Sequence, residues 1–591
     1  MSMMPTASYR GSLRSRSSIA WLSATLACTA ICGCHGTGPA IPPRTAAIFP
    51  AEWRFRAGEP ATFEKHAMVV SNNAIASRVG AEIMRRGGNA IDAAVAVGFA
   101  LTVTYPVAGN IGGGGFMVIR LANGQSVALD YRETGPGAAS RNMYLDSAGK
   151  LTDKSIVGHL SVGVPGAVAG MAEALRKYGT MSLRDVIAPA IQLAEEGWVI
   201  DSSFSKGLSS DSALLTQFEG RRLFYPGGPA LAAGVRLVQP ELAWTLHQIS
   251  DRGADGFYDG PVADSLVAEI QRGGGVITLA DLRAYRPIWR DPVRGTYRGY
   301  TIISMPPASS GGITMTEALN VLETYDRPAP FGSTLWAHRL AETYQRAFVD
   351  RNAKIGDPAF VAVPQSRLTS KEYARQLRAT IDDRRHTPTA QLNVAGREGT
   401  NTTHYSVVDA LGNAVAVTTT LNNGYGSGVW VRGAGFFLND EMYDFAAQPG
   451  FPNMFGLVQG EQNAIAPGKR MLSAMTPTVV LDSAGAVLLV VGGAGGPTII
   501  TGVSQVILNV IDYGMSLADA MRAPRLHHQS LPDSLTWELG GLTQDVADSL
   551  AQMGHALKRT RGLVNVNAIM RVRGGWQGVY EPRSHGGAVG Y

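Results

Sequence analysis

The stretch Thr400-Asn401-Thr402-Thr403-His404-Tyr405-Ser406-Val407-Val408 joins a polar segment to an apolar one. The polar residues of 384–400 end at Asn401, and two predicted strands, 404–409 and 414–421, follow directly. A threonine at the start of a strand is most often only a β-branched strand former. If the chain is cut before Thr402, the new α-amino group, with a pKa of roughly 7.7–8.0, can act as base for the threonine hydroxyl. The junction therefore marks Thr402 as a candidate nucleophile.

A second predicted hairpin lies closer to the C-terminus, with strands over 477–481 and 486–491. The glycine-rich run 492–496 comes next, and apolar residues at helical spacing predict a helix over 499–511. Strands flanked by helices indicate a layered α/β body. Glycines before a helix let backbone N–H groups face a developing negative charge. A nucleotide-binding loop is disfavoured because the run lacks the third glycine of the dinucleotide pattern and any Gly-Lys-Ser/Thr sequence.

Toward the N-terminus the pattern predicts further strands and many helices. A strand is predicted over 67–71, and the glycines of 112–115 are interpreted as a structural turn before a strand over 116–121. Apolar spacing and end signals, such as the glycine pair at 87–88, predict helices over 76–86, 90–104, 166–178, 183–196 and 335–351. The Ala- and Val-rich helix over 90–104 is predicted to be buried.

The first 34 residues have the features of an export signal. Three arginines, Arg10, Arg14 and Arg16, precede an apolar run over 19–31 that is too short to span a bilayer comfortably. Ile31-Cys32-Gly33-Cys34 then resembles a bacterial lipobox, in which the last cysteine receives lipid. We therefore predict a signal peptide over 1–34, a lipid anchor on Cys34 and a location in the periplasm or outer cell envelope. A plain secretory signal cleaved nearby is the alternative.

Composition limits the remaining possibilities. A polar, Pro-rich tether is predicted over 35–65, and no later segment has the pattern of a transmembrane helix. The three cysteines, Cys28, Cys32 and Cys34, all lie near the N-terminus, so no disulfide framework and no cysteine-based metal site is expected in the body. The formal charge of +5 falls to about +2 without the N-terminal arginines. The sequence has no Lys/Arg tract of the kind that binds along a phosphate backbone. Nucleic acid is therefore excluded as an expected partner.

Several long motifs, found in one order, together resemble those of γ-glutamyltransferases. They are Gly87-Gly88-Asn89-Ala90-Ile91-Asp92-Ala93-Ala94, Gly112-Gly113-Gly114-Gly115-Phe116, Tyr131-Arg132-Glu133, Met305-Pro306-Pro307 with Ser309-Ser310-Gly311-Gly312, and the Thr402 segment. The resemblance covers almost the whole chain after residue 65. It implies an α/β fold, the αββα sandwich of N-terminal-nucleophile hydrolases, formed by a large chain (66–401) and a small catalytic chain (402–591). These two chains of one autocatalytically cleaved precursor would form a heterodimer.

The same resemblance implies roles in catalysis. Thr402 matches the nucleophile, and Asn401-Thr402 matches the processing site. Thr420 matches a second threonine that supports the first. Gly495 and Gly496 match the oxyanion hole, where preorganised donors stabilise the developing charge. The family uses no cofactor and no metal.

Substrate binding is also implied by the resemblance. Arg132 matches the residue that grips the substrate α-carboxylate, a task that suits the guanidinium fork. Residues matched to the α-amino group and its polar neighbours are Asn422, Glu441 and Asp444. Taken alone, Arg132 would be interpreted as a surface ion pair with Glu133 or another acid, and the polar stretch around Glu441 as a solvated turn.

Three features depart from the family or vary within it. A Ser pair is usual where this chain has Ser473 and Ala474, so one hydrogen-bond donor to the substrate carboxylate is missing. Pro497-Thr498 stands where some relatives carry Ser-Arg. The segment 449–460, with Phe455 at its centre, resembles a lid loop that only some members have, and Phe455 stands where relatives often have an aromatic residue.

The expected reaction is transfer of the γ-glutamyl group of glutathione or a similar compound to water, an amino acid or a peptide. One alternative is a glutaryl-type acylase of the same superfamily, such as a cephalosporin acylase. Ala474 keeps this alternative open, while Asp444 argues against it because a glutaryl group has no ammonium to pair. Another alternative is a processed but inactive lipoprotein that binds peptides at the envelope. The matched catalytic set argues against that reading.

Overall fold

The computed structural model describes residues 48–392, 401–448 and 460–591. Cys34 and Phe455 lie outside this part of the chain, so the predicted lipid anchor and lid residue are not described. Within the described residues, no helix has both the length and the apolar character needed to cross a membrane.

The described residues contain nineteen strands, of which fourteen form two large sheets. In chain order they are β1 Thr62–Glu64, β2 Met68–Ser71, β3 Gly114–Arg120, β4 Ser126–Tyr131, β5 Trp198–Val199, β6 Arg236–Leu237, β7 Ile288–Arg290, β8 Val293–Tyr297, β9 Tyr300–Ser304, β10 Asn401–Val408, β11 Ala414–Asn422, β12 Thr478–Leu481, β13 Val487–Ala494, β14 Leu526–His527, β15 Leu535–Glu538, β16 Leu557–Thr560, β17 Asn565–Val572, β18 Gly575–Val579 and β19 Gly587–Gly590 in the described residues.

The described residues also contain α-helices of widely different length. They are α1 Ala74–Arg85, α2 Ala90–Thr104, α3 Ala167–Tyr178, α4 Leu183–Glu196, α5 Ser202–Ser210, α6 Ser212–Leu215, α7 Arg221–Phe224, α8 Pro240–Arg252, α9 Asp255–Tyr258, α10 Pro261–Arg272, α11 Leu279–Ala284, α12 Gly311–Glu323, α13 Thr334–Lys354, α14 Gln365–Leu368, α15 Lys371–Arg378, α16 Thr498–Ile511, α17 Leu517–Arg522 and α18 Gln544–Gln552.

Two seven-stranded antiparallel sheets form the inner layers. The first has the order β19-β2-β10-β11-β3-β4-β7, and the second has the order β1-β18-β17-β13-β12-β9-β8. Alternation along the strands of the first sheet places side chains in two separate cores. In β3, Met117 and Ile119 belong to a core shared with α1–α4, whereas Phe116 and Val118 belong to a core shared with the second sheet and with α12, α13 and α16. This arrangement is the predicted αββα sandwich.

The element predictions succeed where periodicity is long. The bounds of α2 and α4 are those predicted, and a reciprocal capping box between Asn89 and Asp92 fixes the start of α2. Strand β13 extends to Ala494, beyond the predicted end at residue 491. Its glycines pair with β17, Gly492 with Asn567 and Gly493 with Val566, so part of the glycine-rich run is strand.

The described part of the predicted tether, residues 48–65, contacts the body. Thr62–Glu64 forms β1, which pairs with β18 at the edge of the second sheet. Trp53 is buried, and its indole N–H donates to the Arg522 carbonyl at 2.8 Å. Burial of the Trp53 side chain stabilises the contact between this polar segment and the body.

Candidate active site

The junction before Thr402 lies at a β-bulge between β10 and β11. Asn401 is opposite Asn422 and Thr403 is opposite Thr419, so the register shifts by one residue between these pairs. Thr402 of β10 therefore faces two residues of β11, Thr420 and Leu421. Bulges locally reorient a side chain and are frequent beside active sites. Thr402 is partly exposed, in contrast to the buried residues that follow it in β10.

Contacts between the two sheets bring the start of β10 close to the end of β13. The Ser406 hydroxyl donates to the Val490 carbonyl at 3.4 Å, and the His404 ring lies so close to Gly492 that a Cβ atom there would be 2.3 Å from it. Successive residues on one strand face come every second position. Thr402 is two residues before His404 in β10, and Ala494 is two residues after Gly492 in β13, so the junction and the glycine turn lie at the same end of the two facing strands.

The glycine turn follows β13 and precedes α16. Gly495 and Gly496 have φ values of +144° and +59°, a backbone region that favours glycine. The Thr498 hydroxyl donates to the Gly495 carbonyl at 2.6 Å, and Ile499 N–H donates to the Gly496 carbonyl at 3.0 Å. These bonds fix a turn at the N-terminal end of a helix, where backbone N–H groups can donate to an anion.

Thr420 and Asn422 are buried behind the junction. The Thr420 hydroxyl accepts the Asn422 N–H at 2.7 Å, and the Asn110 amide donates to the Thr420 carbonyl at 2.9 Å. The Asn422 side chain donates to the Asp440 carbonyl at 3.1 Å. The predicted supporting residue Thr420 and the predicted substrate-binding residue Asn422 thus lie on β11, with Thr420 opposite Thr402 and Asn422 opposite Asn401.

Arg132 follows β4 and is buried, with 1% of its surface exposed. Its Nη1 lies 2.6 Å from Glu441 Oε2, Nη2 donates to Asp444, and Nε donates to the Met471 carbonyl at 3.3 Å. Glu133 is farther away, at 3.7 Å. The interpretation of Arg132 as paired with an acid is therefore confirmed, but its predicted place on the surface is wrong, because the guanidinium and its partners are buried. The solvated-turn interpretation is also wrong, since Glu441 and Asp444 belong to a buried 3-10 turn.

Carboxylates outnumber the guanidinium of Arg132 in this pocket. Burial raises the pKa of Glu133 to about 8, although Arg132 acts in the opposite direction. Burial also raises the pKa values of Glu441 and Asp444, against the lowering effect of Arg132. A buried carboxylate without a full counter-charge favours its neutral form. The pocket is therefore suited to a ligand that brings both a carboxylate for the guanidinium and an ammonium for the surplus acids.

Ser473 and Ala474 lie on a buried segment beside Arg132. The Ser473 hydroxyl accepts the Met475 N–H at 3.2 Å, and the Ser310 N–H donates to the Ser473 carbonyl at 2.7 Å. Asn463 joins this segment to the acidic turn, because its side chain accepts the Leu472 N–H and donates to the Asp444 carbonyl. Ala474 is 4% exposed and belongs to the apolar core between the sheets.

Comparisons of sequence and structure identify proteins that are similar to this chain. The profile of the gamma-glutamyltranspeptidase family matches residues 76–591. The chain belongs to the gamma-glutamyltranspeptidase family. It is 45% identical over 528 residues to the Escherichia coli (strain K12) glutathione hydrolase proenzyme, covering 88% of this chain and 91% of that protein. It is 41% identical over 520 residues to the acylase ACY 1 proenzyme of Pseudomonas sp. (strain SE83), covering 85% and 89%.

A solved structure confirms the fold expected of the gamma-glutamyltranspeptidase family. The crystal structure of a cephalosporin acylase from Bacillus halodurans superposes with a TM-score of 0.79 at 26% identity, covering 92% of this chain and 99% of that one. The predicted N-terminal-nucleophile hydrolase sandwich is thus confirmed. The acylase relatives are less identical to the chain than the glutathione hydrolase of Escherichia coli.

The sequence analysis did not identify two asparagines, Asn439 and Asn463, that help to hold the candidate site together. Asn439 donates to the carbonyls of Gly112 and Gly163 and accepts the Glu441 N–H, and so holds the acidic turn against the glycines before β3. Asn463 has the bridging position described above. Both are asparagines in irregular segments, a signal shared with ordinary turns. The quoted Gly112–Gly115 motif and the matched Glu441 and Asp444 pointed to this region without identifying either asparagine.

A buried histidine cluster provides the residue types of a metal site away from the predicted catalytic set. Among the described residues, two groups could hold an ion: His338 with Glu342 and His555, and His386 with His528 and Asp533. Hydrogen bonds already use their main ligand atoms. His386 binds Glu342 at 2.7 Å and Asp533 at 3.0 Å, and Glu342 also accepts from Arg346 at 2.7 Å. A histidine between two carboxylates favours a bound proton, so we interpret the cluster as structural.

Proposed function

We propose that this chain is a glutathione hydrolase and γ-glutamyltransferase that forms a γ-glutamyl ester on Thr402. The observation that carries the proposal is the buried guanidinium of Arg132 against Glu441 and Asp444. Membership of the gamma-glutamyltranspeptidase family and the likeness to a glutathione hydrolase proenzyme support the same reaction class.

The charge balance of the pocket supports a γ-glutamyl donor. The α-carboxylate of the donor replaces Glu441 and Asp444 as the hydrogen-bond partner of the Arg132 guanidinium. Its α-ammonium then lies against Asp444 and Glu441, which lose the guanidinium as partner. A glutaryl group would supply only the carboxylate, so Glu441 would lose the guanidinium of Arg132 without gaining an ammonium. The acylase alternative is favoured by Ala474 and by the acylase relatives, and a glutaryl substrate tests it.

The reaction proceeds through one covalent intermediate. The Thr402 hydroxyl attacks the γ-carbonyl carbon, and its proton passes to the free α-amino group of the same residue. Backbone N–H groups of Gly495 and Gly496 stabilise the oxyanion. Collapse breaks the C–N bond, and the leaving amine takes the proton. Water or an acceptor amine then attacks the ester, forms a C–O or C–N bond and releases the Thr402 hydroxyl.

The α-amino base requires prior cleavage of the chain. We infer that the Thr402 hydroxyl attacks the Asn401 carbonyl, converts the peptide bond to an ester, and water then hydrolyses it. The products are a large chain ending at Asn401 and a small chain of 402–591, which remain together as a heterodimer. The bulge at Thr402 and the proenzyme names of the relatives support this step.

One experiment tests maturation and activity together. Purified protein is expected to show two bands of about 39 and about 20 kDa, and to hydrolyse γ-glutamyl-p-nitroanilide faster with an acceptor dipeptide. Thr402→Ala should remain one band without activity, while Thr402→Ser should still be cut because its hydroxyl is retained. Cleavage between 401 and 402 in purified Thr402→Ala protein would contradict the self-cleavage mechanism. Absence of turnover in fully cleaved protein would contradict the proposed function.

The location in the cell is a separate part of the proposal. The sequence around Cys34 supports a lipid anchor on the periplasmic side of a bacterial envelope. A single acyl chain anchors only marginally, whereas several anchor firmly, so we expect a triacylated cysteine. Mass spectrometry of the mature N-terminal peptide measures this. An unmodified N-terminus at another residue would remove the lipid anchor from the proposal.

A further inference from the structure

Arg351, near the C-terminal end of α13, is a second buried guanidinium close to the donor pocket. Only 1% of its surface is exposed. Its Nε donates to the Ser310 hydroxyl at 2.9 Å, and its Nη1 donates to the side-chain oxygen of Asn352 at 2.7 Å. A buried cation is unfavourable unless it is hydrogen-bonded and faces a negative charge. The groups that Arg351 faces therefore indicate what it does.

The bond to Ser310 connects Arg351 to the segment that carries Ser473. The Ser310 hydroxyl accepts from Arg351 and donates to the Ser473 carbonyl at 2.6 Å. The Ser310 N–H donates to the same carbonyl at 2.7 Å. Because neighbouring hydrogen bonds polarise one another, a hydroxyl that accepts from a cation is a stronger donor. Arg351 therefore fixes, through Ser310, the backbone that carries Ser473.

The bond to Asn352 connects Arg351 to the segment that holds Asp444. The Asn352 carbonyl accepts from the side-chain amide of Gln462. The next residue, Asn463, donates to the Asp444 carbonyl at 2.7 Å. The end of α13 is thus linked by hydrogen bonds to both segments of the donor pocket, the one with Ser473 and the one with Asp444.

The charges of Arg351 and Asp444 also act on each other. Burial lowers the pKa of Arg351 to about 9, while the charge of Asp444 raises it. Burial raises the pKa of Asp444, whereas Arg132 and, more weakly, Arg351 lower it. The other charged groups that interact with Asp444 are the acids Glu133, Asp440 and Glu441. When a donor carboxylate occupies Arg132, Arg351 still favours the ionised form of Asp444.

We propose that Arg351 is a positioning residue of the donor site, which keeps Asp444 charged to receive the donor ammonium and orients Ser473 toward the donor carboxylate. The inference rests on the proposed function and adds a residue that sets the preference for a donor with both charges. The two effects are separable. The charge of Arg351 concerns the ammonium, which a glutaryl donor lacks, whereas its bond to Ser310 concerns the carboxylate, which both donors carry.

The experiment follows kcat/KM for γ-glutamyl-p-nitroanilide and glutaryl-p-nitroanilide across pH in fully cleaved enzyme. Loss of a nearby cation raises the pKa of Asp444, so in Arg351→Gln the rise in γ-glutamyl kcat/KM should move to higher pH. The ratio of the two kcat/KM values should fall by about tenfold at the acid end and by less than about twofold at the alkaline end. Arg351→Lys retains the charge and should keep this ratio within about twofold of the unmodified enzyme.

Two further variants separate charge from hydrogen bonding. Ser310→Ala keeps the charge of Arg351 and should raise the KM for both substrates about threefold, with the ratio and its pH dependence unchanged. Arg346→Gln is the matched control, because Arg346 is another buried guanidinium of α13 and its hydrogen bonds go to Glu342, Thr380 and Thr387. It should lower the Tm and leave the ratio within about twofold at every pH.

Circular dichroism and gel analysis show which variants fold and are cut. Arg351→Met, which replaces the cation with a long apolar side chain, is measured in parallel and takes the place of Arg351→Gln if the latter does not fold. The inference is overturned if the neutral variant lowers kcat/KM for both substrates by one factor at every pH, as a purely structural role would. It is also overturned if Arg351→Lys loses the ratio as the neutral variant does, or if Ser310→Ala changes neither KM. Absence of donor hydrolysis in the cleaved, unmodified enzyme would instead overturn the proposed function.

Discussion

His404 of β10 lies directly against Gly492 of β13, across the space between the two central sheets. A side chain at Gly492 would meet the imidazole ring, which burial keeps neutral by lowering the His404 pKa to about 3. The ring is held by hydrogen bonds to Thr418 at 2.9 Å and Ser406 at 3.0 Å, so it cannot move freely. This contact sets the spacing between the start of β10 and the glycine turn.

We therefore expect Gly492→Ala to displace the start of β10. Overpacking of a filled core commonly destabilises by about 1–3 kcal/mol. The variant should have a lower Tm and should accumulate uncut precursor, because Thr402 moves relative to the turn. Gly227→Ala is the control, since a Cβ at Gly227 meets no atom within 4 Å. Normal cleavage and an unchanged Tm in Gly492→Ala would contradict the proposed spacing.

Arg132→Lys tests the guanidinium fork. A lysine keeps the positive charge but cannot reach Glu441, Asp444 and the Met471 carbonyl with separate, fixed donors. We expect kcat/KM for γ-glutamyl-p-nitroanilide to fall by roughly 100-fold, equivalent to about 2.7 kcal/mol. Circular dichroism and gel analysis would show whether the variant still folds and is cut. A folded, cut variant with near-normal kcat/KM would remove Arg132 from the donor site.

The pH dependence of kcat/KM for the donor substrate should reflect the ionisation of Glu441 and Asp444. Since burial raises the pKa values of Glu441 and Asp444, these acids lose protons only at higher pH, and an ammonium binds more tightly once they are ionised. As pH rises, we expect kcat/KM to increase more steeply for a γ-glutamyl anilide than for a glutaryl anilide, which lacks the ammonium. Both substrates use the same Thr402 amine, so its titration cancels in the ratio.

Asp444→Ala provides the control for this profile. It should reduce γ-glutamyl turnover by about 100-fold or more, as expected when a buried charge partner is lost, and should flatten the ratio between the two substrates. A preference of the unmodified enzyme for the glutaryl anilide, or full γ-glutamyl turnover in Asp444→Ala, would favour the acylase alternative.

The sequence predicted the strands and the helix that carry the site better than it predicted which polar residues are buried there. The hairpin after Asn401 and the helix after Gly496 were predictable because alternation and helical spacing are local properties. The burial of Glu441 was not predictable, since Asn-Asp-Glu is typical of exposed turns. It becomes buried only because Arg132 and Asn439, one of them more than 300 residues away in sequence, supply a charge and hydrogen bonds. The histidine cluster likewise joins distant segments of the chain.

His386 in this histidine cluster leads to a prediction about the stability of the fold. Burial would lower the pKa of His386, but hydrogen bonds to Asp533 and Glu342 raise it to about 9. A raised pKa stabilises the fold fully below the unfolded value of about 6.5 and loses this effect as pH rises through about 9. We expect His386→Asn to lower the Tm most at pH 6 and least at pH 9.5. The Tm of the exposed-site control His247→Asn should match the unmodified protein. A Tm difference that grows with pH would contradict a protonated His386.

Ala474→Ser tests the missing donor of the substrate site. The new hydroxyl can complete a pair with Ser473 beside the carboxylate held by Arg132. A hydrogen bond to a charged group contributes about 1.5–3 kcal/mol, so the KM for γ-glutamyl-p-nitroanilide should fall by at least roughly tenfold. The effect should appear in KM with kcat nearly unchanged, because the α-carboxylate is remote from the reacting carbon and is bound equally in both states. Ala474→Gly is the control without a hydroxyl. An unchanged KM with a lower Tm in Ala474→Ser would mean that the hydroxyl stays in the apolar core around Ala474, and that Arg132 alone grips the carboxylate.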